Sequence, residues 1–284
     1  MSKLKTLMTG LAFGESPRWH DGRVWFSNWV GQQIIAVDPG GRSEVMARVP
    51  VESFPFSIDW LPDGRLLMSS ISERPLLVQE RDGTWNTYAD TSRLSRSGWN
   101  EIVVDGRGNA YINGSGFDAR AGDPFAPGII AMVTPHGVAR QVADDIHFPN
   151  GMAITPDDST LVIAESFARR LTAFDIDADG SLSNRRVWAE LGNGAPDGIC
   201  FDAEGAIWYA DVPNKRCVRV REGGAVLQTV DVDRGCFACM LGGEDGSTLF
   251  ITAAQWRGFE HMTDGSLTGV LLSTSAPSPH AGRP

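Results

Sequence analysis

One pattern recurs six times along the chain: a short strand, an Asp-Gly-type turn and an apolar strand. The copies are HDGRVWFSN (20–28), PDGRLLMSS (62–70), DGRGNAYING (105–114), PDDSTLVIAES (156–166), DAEGAIWYAD (202–211) and GEDGSTLFITA (243–253). They start about forty to fifty residues apart, the blade size of β-propellers. A further apolar run with its own turn follows each copy, as in QQIIAVDPGGRSEVMA and PLLVQERDGTWNTYA. That makes four strands per repeat and predicts an all-β, six-bladed propeller of antiparallel blades. The sixth repeat lacks an outer strand, which the N-terminal LKTLMTGLAF can supply. Such closure removes the open sheet edges that endanger all-β proteins.

Composition agrees with many short strands. The 284 residues include 32 Gly with no collagen period, spread as turn residues. One domain over residues 1–274 is expected, with a flexible tail over 275–284. The net charge of −10 argues against nucleic-acid binding. No apolar run reaches a membrane-spanning length, and the N-terminus lacks a secretory core, so a cytoplasmic location without membrane contact is expected. Cys236 and Cys239 are spaced as C-x-x-C, but no βαβ unit or second ligand pair accompanies them. Buried thiols are the expected reading of all four cysteines.

Aligning the repeats on their turns brings unusual residues into register. Six residues before the position preceding the turn Asp stand Phe56, Asn100, Asn150, Asp197 and Ala238. The first repeat is one residue shorter and offers Glu15. This position starts the innermost strand, at the mouth of the channel. Four of six repeats therefore aim a carboxylate or carboxamide oxygen at one axis, which suits a hard divalent cation. Each residue alone has a plainer reading. Asn150-Gly151 and Asp197-Gly198 are also turn dipeptides, Glu15 could be a loop glutamate, and Asn100 could satisfy a backbone group.

The segments FGESPRW, NEIVVDGRG, FPNGMAITPD, APDGICFDAEGAIWYAD and CMLGGEDGSTLFITA resemble the senescence-marker-protein/gluconolactonase/luciferin-regenerating-enzyme family, in order and over nearly the whole chain. The resemblance implies a six-bladed propeller with one catalytic divalent cation near its centre, Ca²⁺ first, with Mg²⁺, Mn²⁺ or Zn²⁺ as alternatives. By motif, Glu15, Asn150 and Asp197 match the metal ligands, and Asn100 matches a residue that contacts substrate or reaches the metal through water. Many members resemble lactonases whose metal-bound Asp is also the general base. Two departures stand out. The Arg that grips sugar hydroxyls is replaced by Gly98, with Arg96 displaced by two residues, and the usual Asp after Asn100 is Glu101. A simple aldonolactone is therefore not the expected substrate.

The expected activity is metal-dependent opening of a lactone or related ester, with Asp197 as base on water. Asn100, Glu101, Phe56, Trp99 and His147 are the candidate substrate contacts. Trp29 and Trp256 fall near loops and, with Trp99, Phe56 and Phe148, could form an aromatic wall. A phosphotriesterase of the diisopropylfluorophosphatase or paraoxonase type is the alternative chemistry. A non-catalytic ligand- or calcium-binding propeller is the alternative of another class. The expected partner is a small lactone or ester, and the expected assembly a monomer or small homo-oligomer.

Overall fold

The computed structural model describes residues 4–50, 54–70, 75–95, 97–262 and 264–284. They form six four-stranded antiparallel sheets, and the strands of five follow one another in chain order. The first strands of blades 1 to 6 are Gly14–His20, Phe56–Trp60, Glu101–Val104, Pro149–Ile154, Pro196–Phe201 and Gly235–Gly242. These six lie against one another around the axis. Blade 6 is completed by Lys5–Leu11, which pairs with Gly269–Ser275 (Lys5 opposite Ser273). The ring thus closes through both ends of the chain, as its pattern predicts.

Burial falls from the axis outward. In blade 2, Leu66–Ser70 is buried throughout, whereas Trp85–Ala89 is largely open to solvent. Ser43–Arg48, the outer strand of blade 1, buries no residue fully. Inner strands covered on both faces therefore read as continuous apolar runs, and outer strands do not. No single core exists. Apolar clusters fill the seams between neighbouring blades, such as Ala153, Val162, Ile199 and Tyr209 between blades 4 and 5. The four cysteines are free, buried thiols in the seam of blades 5 and 6.

The turns of blades 3 and 5 share one chemistry. The Oδ1 of Asp105 accepts from the N–H of Arg107 and of Asn109 at 2.9 and 2.8 Å. Asp202 does the same for Glu204 and Ala206, at 2.9 and 3.1 Å. The short carboxylate closes the turn on its own backbone. The glycine that follows supplies a left-handed conformation, φ 85° at Gly108 and 72° at Gly205. In PDDS that place is taken by Asp158, at φ 56°.

The last residues depart from the expected loose tail. They lie across the turns of blades 6, 5 and 4, at the end of the ring opposite the candidate site. The N–H of His280 donates to Gly246 O, Pro279 O accepts from Ala203, and Arg283 exchanges backbone hydrogen bonds with Ile154. Arg283 also pairs with Asp158 at 3.1 Å. Composition suggested disorder because the partners that order this segment are remote in sequence. Among the described residues, no helix is long and apolar enough to cross a membrane.

Candidate metal centre and substrate cavity

Four innermost strands break their ladders near their start; that of blade 6 does so between Cys236 and Ala238, where Phe237 has no ladder partner. The other register shifts occur between Glu15 and Arg18 in blade 1, Pro149 and Met152 in blade 4, and Pro196 and Ile199 in blade 5. Asn150 and Asp197 lie within their bulges, and Glu15, paired with Ser27, borders that of blade 1. A bulge adds a residue without a ladder partner and re-aims its side chain. Blade 1 does so with Ser16 at φ 52°, and in blade 4 Phe148, just ahead of the strand, holds φ 59°. Asn150 and Gly151 do not take the left-handed conformation, and Pro149–Ile154 is strand. The plainer reading of Asn150-Gly151 as a turn dipeptide is therefore wrong. Gly151 and Gly198 serve close approach instead. A Cβ on Gly151 would lie 2.6 Å from Asp197 O, and one on Gly198 would lie 2.4 Å from the Cβ of Ala238.

Glu15, Asn100, Asn150 and Asp197 line one cavity of about 800 Å³ at this end of the ring. Asn100 Nδ2 donates to Pro149 O at 3.3 Å and reaches Asn150 Oδ1 at 3.5 Å. Asn150 is held by Ser166 Oγ, 3.4 Å from its Nδ2, and by Asn113 Nδ2, which donates to its backbone carbonyl at 2.7 Å. A hydrogen bond from Asn150 also reaches Asp197. Burial, and then the charge of Glu101, pushes Glu15 up to about 8. Burial, and then the charge of Glu15, pushes Asp197 well up.

These residues suit a cation by their own chemistry. The Glu15 carboxylate raises Asp197, and burial with Glu101 raises Glu15, so the two carboxylates at this site stand without a sufficient countercharge. A divalent ion supplies it, and the Asn oxygens add coordination without charge. Among the described residues no cluster of three or more His, Cys, Asp or Glu could hold a metal. The polar residues that converge on the cavity, Glu15, Asp197, Asn100 and Asn150, offer oxygen only, which favours Ca²⁺ or Mg²⁺ over Zn²⁺.

Glu101 stands just behind this set. Its Oε1 accepts from Ser16 Oγ at 3.1 Å and lies 3.5 Å from Arg18 Nη2. It supports the bulge of blade 1 and does not line the cavity. Arg18 also donates to Ile102 O at 2.6 Å and sits 3.9 Å from Asp59.

Three further expected substrate contacts are corrected. Phe56 and Trp99 are both 0% exposed and belong to inter-blade clusters. The strand of Phe56 is unbroken (Phe56 opposite Ser70), so its ring stays in the blade. Trp99 turns its Nε1 onto Thr91 Oγ1 at 2.7 Å. His147 does not line the cavity either. Its ring faces Asp145 at 3.4 Å and Phe125 at 5.3 Å between centroids. Arg96 lies outside the described residues, and Gly98 holds a left-handed φ of 71°.

Trp29, Phe148 and Trp256 do line the cavity. Sequence reading missed Phe54, Phe167, Phe237 and Phe259, and the loop bearing Asp118, Arg120 and Asp123. Phe167 and Phe259 stand between the second and third strands of their blades, as Trp29 and Trp256 do. Aligning those loops was the available signal.

The family model described as "SMP-30/Gluconolactonase/LRE-like region" matches residues 13–255. The chain belongs to the SMP-30/gluconolactonase/LRE-like family. Within it, the chain is 26% identical to regucalcin of Xenopus laevis over 289 residues, 95% of each chain. It is 30% identical to 6-deoxy-6-sulfogluconolactonase of Pseudomonas putida over 151 residues, which span 51% of this chain and 52% of that one. The fold is shared with a solved calcium-binding protein, regucalcin, of Agrobacterium tumefaciens, at a TM-score of 0.80 and 22% identity over 99% of this chain and 96% of that one. The matched region contains all four oxygen donors at the mouth of the family's propeller.

Proposed function

We propose that the protein is a divalent-metal-dependent hydrolase that opens a lactone ring. The observation that carries this reading is the convergence of Glu15, Asn150 and Asp197 on one cavity at three separate bulges. All three open onto the same cavity, where oxygens from separate blades can share one ligand, whereas the bulge of blade 6 presents Phe237 there. Membership of a family that includes gluconolactonases adds support, as do relatives called regucalcin and 6-deoxy-6-sulfogluconolactonase.

Glu15, Asn150 and Asp197 would hold the cation, Ca²⁺ first by donor type. When bound, the cation would supply Lewis-acid stabilisation of charge developing on the ester carbonyl oxygen. Asn100 orients the carbonyl from the neighbouring blade. Asp197 accepts the proton of the attacking water. Water oxygen bonds to the carbonyl carbon, the ring C–O bond breaks, and the proton passes to the departing oxygen, giving a hydroxy acid. Glu101 and Arg18 brace the bulge of blade 1 and do not touch substrate.

The test is to strip metal with EDTA, restore single divalent ions, and assay a lactone panel and one phosphotriester. Wild type and Asp197→Asn are compared. Turnover restored by Ca²⁺ and lost in Asp197→Asn supports the reading. Equal rates in the two proteins refute the base assignment. Turnover of the phosphotriester alone favours that chemistry, and metal binding without turnover on any substrate favours a binding propeller.

A further inference from the structure

The cavity is walled by rings in mutual contact. Trp29 stacks on Phe13 at 5.0 Å, and Phe13 meets Phe237 at 4.3 Å. Phe237 meets Trp256 at 5.8 Å, and Trp256 meets Phe259 at 5.1 Å. Phe259 then reaches past blade 5 to Phe148 of blade 4 at 5.8 Å, and Phe148 stacks on Phe167 at 4.4 Å with planes 7° apart. Blade 5 adds Ala195, Val212 and Pro213. The aromatic and aliphatic wall therefore runs through blades 1, 6, 5 and 4. Phe167 is half exposed at its end, ready to cover a flat ligand.

Two hydroxyls that line the cavity are already engaged. Ser115 Oγ donates to Phe117 O at 2.7 Å, and Ser166 Oγ donates to Pro196 O at 2.6 Å. Along blades 1, 6, 5 and 4 the lining is mainly rings and aliphatic side chains, so sugar hydroxyls laid against it would go unpaired at a cost, while the acceptors Asp118 and Asp123 stand on the blade 3 loop. Charge excludes a second class of substrate. Glu15, Asp118, Asp123 and Asp197 line the cavity against one cationic side chain, Arg120. Arg120 lies over Phe54 at 5.2 Å, donates to Phe54 O at 3.4 Å and faces Asp118 at 3.6 Å. A divalent cation would offset two of these charges and leave the cavity negative. Among the described lining residues there is thus no uncommitted cation for a carboxylate, sulfonate or phosphate.

We propose that the substrate is an uncharged lactone bearing a flat apolar or aryl group. That group lies against the Phe148–Phe167 stack and the Trp256–Phe259 pair, with the ester carbonyl toward Asn100 and Asp197. This deepens, and rests on, the lactonase reading.

The experiment uses Ca²⁺-loaded protein with dihydrocoumarin (neutral, aryl), glucono-1,5-lactone (neutral, polyhydroxyl) and 6-phosphogluconolactone (anionic), in wild type and Phe167→Ala. The expected kcat/KM for dihydrocoumarin exceeds both others by about tenfold or more. Loss of one stacking ring raises its KM roughly threefold to tenfold and leaves that of glucono-1,5-lactone unchanged. Preference for either sugar lactone, or an equal KM change for all substrates, overturns the proposal while the lactonase reading stands. If no lactone is turned over, the lactonase reading fails. Coumarin binding, followed by tryptophan quenching, then decides the wall by itself. Saturable quenching weakened in Phe167→Ala supports an aryl-binding cavity, and no saturable quenching overturns it.

Discussion

Blades 2 and 5 place different residues at the same register, and their innermost strands differ accordingly. In blade 2 the residue is Phe56, its ladder is regular, and its ring is buried in the blade. In blade 5 the residue is Asp197, its ladder shifts register, and its carboxylate lines the cavity. The residue after each follows suit. Blade 2 has Ser57, whose Oγ donates to Asn100 O at 2.6 Å, whereas blade 5 has Gly198, where a Cβ would strike Ala238. One repeat unit thus serves two ends. Left regular, it adds core. Bulged, as in blade 5, it gives up ladder bonds and side-chain volume to present an oxygen on the axis, and in blade 6 the bulge presents the Phe237 ring to the same cavity.

Four experiments would break or sharpen this contrast. The largest effect is expected for Asp197→Asn, which lowers lactone turnover by about 10²- to 10⁴-fold, the usual span of general-base catalysis, and leaves the melting temperature nearly unchanged. Phe56→Ala should do the reverse. It costs about 3–5 kcal/mol in urea denaturation, as a large buried ring lost from a packed core does, while Ca²⁺ affinity measured by calorimetry holds. If Phe56→Ala weakened Ca²⁺ binding as strongly as stability, blade 2 would belong to the site. Next comes Gly198→Ala, expected to cost about 1–3 kcal/mol through overpacking against blade 6. No cost in chemical denaturation would show that the blades can part there.

The smallest effect concerns pH without metal. Burial raises Glu15 from 4.5 to about 8. Below 4.5 both folded and unfolded chains carry the proton, so there is no penalty. Above it the unfolded chain ionises first, and the folded state loses stability until about 8 is passed. The melting temperature of EDTA-treated protein should therefore fall by a few degrees between pH 5 and pH 8. Saturating Ca²⁺ should flatten that slope. A flat profile without metal would mean that Glu15 is already compensated by Arg18 and its neighbours.

Much of the molecule was legible because the repeat is local. Each blade carries its turn aspartate, its apolar inner strands and its outer strand in one continuous segment, so the six-bladed ring and its closure by Lys5–Leu11 could be read from spacing. Glu15, Asn100, Asn150 and Asp197 were found the same way, since a fixed count from a fixed turn gives a fixed place on the axis. The count does not say which way a side chain turns. It treated Phe56 as the equivalent of Asp197, and Trp99 as a loop residue beside Asn100. Whether the ladder bulges or stays regular decides orientation, and that depends on how closely the next blade approaches. The aromatic wall was only half visible, because Phe148 and Phe259 meet across an intervening blade.

The sequence by itself determined the architecture and the set of oxygen donors, because both are written in every repeat as local turn chemistry and polarity. Only the tertiary structure decided which rings face the cavity, what Arg120 is already paired with, and that the final residues lie across the turns of blades 4 to 6. Those outcomes depend on contacts between segments far apart in the chain, set by packing between blades and not by any local preference.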